Sequence, residues 1–146
     1  MKCIVAATDG SEAAGHAIDL AATLARTSDA DLWIIHVAGG ASDSSGEDVR
    51  EYARCEHMRP GEALATVSEE ELSSAGRLAS GSGVRSVHTE SPIGDPVDII
   101  IRSALEKHAD LIVVGADGRG RLTGLLLGSV SQKLVASAPC AVLVVP

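Results

Sequence analysis

The chain has 146 residues, 45% of them apolar, and a formal net charge of −8. That length suits one domain with a sizeable core, and the acidic balance argues against nucleic acid or an anionic membrane surface as a partner. With one Trp, one Tyr and no Phe, the core must be aliphatic and there is no aromatic platform for single-stranded bases.

The stretch "KCIVAAT", residues 2–8, is short and apolar and ends at "DG", which predicts a buried strand followed by a turn. Ala14, Ala17, Ile18, Ala21, Leu24 and Ala25 then recur at helical spacing, with Ser11 placed as the N-cap. "ADLWIIHVA", 30–38, predicts a second strand, to which Trp33 and the paired isoleucines belong. "GGASDSSGED" has loop composition, and the acidic residues of 47–71 read as a solvated face. A helix is expected over about 60–80, where Leu64, Val67, Glu71, Leu72, Ala75 and Leu78 follow the helical period loosely. "GVRSVHTES", 83–91, alternates as a strand.

Asp95 is placed to cap the next helix, with Pro96 in its first turn. Val97, Ile100, Ile101, Ala104 and Leu105 form its expected buried stripe. "ADLIVVG", 109–115, is a nearly continuous apolar strand; "LGSVSQKLVASA" predicts the last helix and "CAVLVV", 140–145, the last strand. Strands and helices alternate, which means an α/β domain, residues 1–146, with a parallel sheet covered by helices on both faces.

Cys3, Cys55 and Cys140 are odd in number and contain no CxxC pair, so they read as free thiols of a reducing cytoplasm. The amino terminus lacks the apolar run of a secretion signal, and no 18-residue apolar stretch occurs, so a cytoplasmic location without membrane contact is expected. His16, His36, His57, His88 and His108 show no ligand spacing, and His36 reads as a packed strand histidine. No metal ligand set is assigned.

Ligands of open parallel sheets collect outside the carboxyl ends of the strands. Three loops leave such ends: "TDGS", "HVAGG" and "GADGRG". The last belongs to "VVGADGRGRLTGLLLGSVSQK", 113–133, with glycines at 115, 118, 120, 124 and 128. Gly128 and Ser129 stand where the final helix begins, and free N–H groups at a helix start favour an anion. Arg119 and Arg121 lie in the same loop. Neither GxxxxGK[ST] nor GxGxxG is present, so the phosphate-loop and dinucleotide fingerprints are both missing. By general rules the loop is either an anion cradle or a glycine-rich connection without a ligand.

Gly115, Gly118, Gly128 and Ser129 satisfy G-x2-G-x9-G-[ST] with both spacings intact. Together with "ATDGSE", the "GDP" before the third helix and the ending "APCAVLVVP", this resembles the nucleotide-binding members of the universal stress protein family over nearly the whole chain. The resemblance implies a Rossmann-like, open, parallel five-stranded sheet, a homodimer and a bound ATP or AMP, with Mg2+ accompanying ATP. It implies that Asp9 approaches the ribose or the phosphate-bound metal and that Ala7 belongs to the nucleotide-binding set. Val37 and Ala38 would line the adenine pocket, and Gly115, Gly118, Arg119, Gly128, Ser129 and Val130 would surround ribose and phosphates.

Two residues depart from that pattern: Ala116 and Asp117 stand where the family often has a hydroxyl followed by a basic residue. Asp117 disfavours ATP more than AMP. The alternative readings are an interaction module of the same fold without nucleotide, and a weak ATPase. No nucleophile with a base is visible, so no catalytic residue is assigned. On simpler readings Asp9 and Ser129 are helix caps. "AVLVV" reads as an exposed edge strand, which pairing with a second copy would cover.

Overall fold

A computed structural model describes residues 1–37, 54, 56, 60–117 and 127–146. Within them five strands, β1 (Cys3–Thr8), β2 (Asp31–His36), β3 (Val87–Glu90), β4 (Leu111–Gly115) and β5 (Ala141–Val145), alternate with helices. The helices are α1 (Glu12–Ser28), α2 (Pro60–Gly81), α3 (Pro96–Glu106) and α4 (Ser129–Ser137). The sheet is parallel throughout, in the order β3-β2-β1-β4-β5. This is the expected Rossmann-like α/β arrangement, and β5 is an edge strand.

The two faces of the sheet carry two cores. Ile4 and Ala6 of β1, Leu32 and Ile34 of β2 and Val113 of β4 point to one face, under Ala17, Ala21 and Ala25 of α1 and Ala75 and Ala79 of α2. Their neighbours Val5, Ile35, Ile112 and Val114 point to the other, under Val97 and Ile100 of α3 and Leu134 of α4. That alternation is the period-two pleat of a strand, and burial on both faces explains why β4 reads as an unbroken apolar run. Ile4, Leu32, Ile34, Ile35 and Ile112 are fully buried, each contributing roughly 1.5–3 kcal/mol of transfer free energy. Small alanines on α1 let that helix lie close on the sheet.

Both expected caps are present. Ser11 Oγ accepts from the Ala14 N–H at 3.2 Å, and Asp95 Oδ1 accepts from Val97 and Asp98 at 3.0 and 3.1 Å, with Pro96 at the first helical position. Three expectations need correction. The strand expected over 83–91 is only Val87–Glu90. β2 begins at Asp31 and pairs from Leu32 with Val87, so residues before Ser86 have no strand opposite them. On α3 the buried set is Val97, Ile99, Ile100, Ser103 and Ala104, while Leu105 is 55% exposed. Three consecutive isoleucines, 99–101, leave the helical phase open in sequence, and packing on the sheet turned Ile99 and Ser103 inward. On α2, Leu78 is 46% exposed rather than part of the buried face.

Candidate functional site

The chain passes from β1 to β2 on one side and from β3 to β4 on the other, so the strand order reverses between β1 and β4. A crevice at the carboxyl ends of β1 and β4 follows from that reversal. On the β1 side the turn is tightly organised. Thr8 Oγ1 accepts from the Gly10 N–H at 3.2 Å, and Asp9 Oδ1 accepts from the Ser11 N–H at 3.0 Å. Gly10 has φ +77°, a left-handed conformation that glycine adopts without strain. Ser11, not Asp9, is the cap of α1.

On the β4 side, Ala116 is the anchor. Its N–H donates to the Val145 carbonyl at 2.6 Å, and its carbonyl accepts from the Gly128 N–H at 2.6 Å. The Ser131 hydroxyl, 2% exposed, is shared between the carbonyls of Ala116 at 2.8 Å and Gly128 at 2.9 Å. The two ends of the glycine-rich loop are thereby clamped together at the start of α4. Gly128 is the N-cap of α4 and, being glycine, makes no side-chain cap bond to that helix's first turn. Ser129 is the first helical residue and is exposed. In α1 and α3 first-turn amides are bonded by the cap side chains of Ser11 and Asp95, whereas α4 receives no such bond from its own cap.

Gly115 joins the two sides. An added Cβ there would lie 3.0 Å from both the Ala13 carbonyl carbon and the Ala14 nitrogen. The glycine is what lets α1 meet β4. Ala7, Val37 and Val130 are half-buried and pack against the same core, the one beneath α3 and α4. Asp117 is exposed. Of the expected site residues, Ala38, Gly118 and Arg119 lie outside the described residues, as does Arg121.

Beside the turn, a cavity of about 380 Å3 opens between α1 and α2. Thr8, Gly10 and Ser11 line one wall; Glu70, Glu71 and Ser74 line the other. His36, the last residue of β2, is 6% exposed. Its Nδ1 lies 3.1 Å from the Thr8 carbonyl oxygen and 3.1 Å from Glu71 Oε2. Among the described residues, no group of three His, Cys, Asp or Glu side chains is arranged to hold a metal ion.

Sequence reasoning missed Ser131, and the signal was available. It stands three residues after Gly128, the spacing at which a helical side chain reaches back to the preceding turn. It also gave His36 no part in the site, because the Glu71 partner comes from a helix 35 residues away in the chain.

Fold and crevice together define an open, parallel, Rossmann-like α/β domain in which the two ends of the glycine-rich segment, Ala116 and Gly128, meet at the start of the last helix. The chain belongs to the universal stress protein family, whose model matches residues 1–146. A Staphylococcus aureus (strain USA300) protein named as a universal stress protein is 35% identical over 147 residues, covering 99% of this chain and 83% of that protein. The universal stress protein UspA from Lactobacillus plantarum superposes with a TM-score of 0.80 at 24% identity, covering 99% of this chain and 97% of that one. A universal stress protein solved in complex with cAMP superposes with a TM-score of 0.72 at 28% identity, again covering 99% and 97%. No helix among the described residues is long and apolar enough to cross a membrane.

Proposed function

We propose that this universal stress protein binds an adenine nucleotide in the crevice between the β1 turn and the clamped β4 loop, and that occupancy biases its dimer or partner contacts in a cytoplasmic stress response. The observation that carries the reading is the loop base. Ala116, Gly128 and Ser131 hold it shut beneath a helix whose first-turn amides have no side-chain cap. Such amides with the helix dipole suit a phosphate. The cAMP-bound neighbour supports the same ligand class.

In this reading Asp9 meets the ribose or a phosphate-bound Mg2+, Val37 and Ala38 border the base, Gly118, Arg119, Ser129 and Val130 surround the phosphate, and Ala7 belongs to the same binding set. Gly115 and Gly128 contribute through backbone approach. A single phosphate is favoured over three. Asp117 stands one residue past the loop anchor, and unit charges 4 Å apart repel by about 4 kcal/mol at an effective dielectric of 20. That same carboxylate favours a second reading, an interaction module of this fold that has given up nucleotide. Hydrolysis is not part of the proposal.

Mass spectrometry of denatured, freshly purified protein is expected to find released adenine nucleotide, and calorimetry to find AMP bound more tightly than ATP without metal. Asp117→Arg should tighten ATP more than AMP. Neither nucleotide released, nor bound at millimolar concentration, would leave the interaction module as the function.

A further inference from the structure

His36 is a buried titratable group that nucleotide binding through the loop leaves unused. It pairs in register with Thr8, so the last residues of β1 and β2 lie side by side. Its Nδ1 is within 3.1 Å of two oxygens, the Thr8 carbonyl and Glu71 Oε2, and the Glu71 side chain is only 14% exposed. A carbonyl and a carboxylate both accept. Nδ1 therefore carries the hydrogen, whichever charge state the ring adopts. The tautomer is settled by geometry.

Nδ1 stands where three elements meet, bonded to the Thr8 carbonyl and lying beside the Glu71 carboxylate. Thr8 ends β1 and opens the turn in which its own hydroxyl accepts from Gly10 and Asp9 accepts from Ser11. Glu71 belongs to α2, and the cavity has Thr8, Gly10 and Ser11 on one side and Glu71 on the other. Burying an imidazole beside a carboxylate is tolerated only where both are held by partners. Here the partner is the backbone of the turn that carries Asp9.

We infer that His36 is a positioning residue for the crevice. Its Nδ1–H donates to the Thr8 carbonyl, with the Glu71 carboxylate 3.1 Å away, and this holds the Thr8–Ser11 turn, with Asp9, in one conformation. His36 touches no ligand in this scheme; it acts through the turn. The effect on affinity rests on the adenine-nucleotide reading above, whereas the effect on the turn does not.

The experiment compares His36→Asn with His36→Gln. An asparagine amide nitrogen takes the place of Nδ1; a glutamine amide nitrogen takes the place of Nε2. By NMR on ligand-free protein, His36→Gln is expected to speed amide exchange at Gly10 and Ser11, while His36→Asn stays near the wild-type rates. In calorimetry, His36→Gln should weaken AMP roughly tenfold, within the range seen for residues that act without touching ligand, and His36→Asn should restore most of it. Should His36→Gln fail to fold, Glu71→Ala removes the carboxylate that stands against Nδ1 from the α2 side and is read by exchange at the same two amides. Wild-type exchange at both amides in His36→Gln, or an equal loss in both histidine variants, would overturn the inference. A wild-type protein that binds no AMP would remove the nucleotide reading, and the exchange rates would still decide whether His36 holds the turn.

Discussion

At Gly115 the space for a side chain is taken by the backbone of α1. A methyl group there would press on Ala13 and Ala14 at 3.0 Å, and backbone atoms yield less readily than a side-chain end. Gly115→Ala is expected to destabilise the fold by about 1–3 kcal/mol, the usual range for overpacking, measured by urea or thermal unfolding. The motif assigns this glycine to the ligand, and the close approach of α1 makes a second demand on the same position. The cysteines make a second case. Burial first, then Asp31 and Asp110, push the Cys3 thiol up; burial and then Asp110 do the same to Cys140. The thiolate is the reactive form, so both residues should alkylate more slowly in the native protein than after unfolding, as timed by mass spectrometry. Their reading as unbridged thiols agrees with the structure, where both are free.

Among the elements, the β4–α4 connection and the start of β1 are each held by one side chain. Ser131→Ala removes the hydroxyl shared by the two loop-base carbonyls, and about 1 kcal/mol of stability should go with it. Its denaturant slope should be unchanged, because the compactness of either state is untouched. At the opposite end of the sheet, the Asp110 carboxylate accepts from the backbone N–H groups of Lys2 at 2.5 Å and Cys3 at 3.1 Å. Those two bonds hold its carboxyl below the usual range. A carboxyl depressed in the folded state stabilises above its unfolded pKa, and that contribution disappears as the pH falls through the folded value. Asp110→Ala should therefore lower the thermal midpoint at neutral pH. The gap from wild type should narrow below about pH 3.9, the unfolded aspartate value, and close at more acid pH. Elements were legible where a local signal ended them: Ser11 and Asp95 as caps, "DG" after β1, Pro96 at the first turn. They were illegible where the partner decided, as for the length of β3 and the phase of α3.

For the molecule as a whole, the exposed margin is β5. It pairs only with β4 among the described residues, and Val142, Leu143 and Val144 are half-buried. An apolar edge of this kind invites a second strand, and pairing across a two-fold axis would give the homodimer proposed from the family resemblance. Light scattering at micromolar concentration is expected to give twice the chain mass; a monomer there would oppose it.

The amino-acid order by itself determined the alternation of strands and helices, the aliphatic core and the spacing of the glycine loop. Each of these depends on residues near one another along the chain: hydrophobic period, caps and turn formers act over a few positions. Only the tertiary structure decided that α1 fills the space at Gly115, that Ser131 closes the loop on Ala116, and that His36 stands between Thr8 and Glu71. Those contacts join segments from different strands and helices, and no local pattern records which backbone will arrive opposite a given side chain once the sheet has assembled.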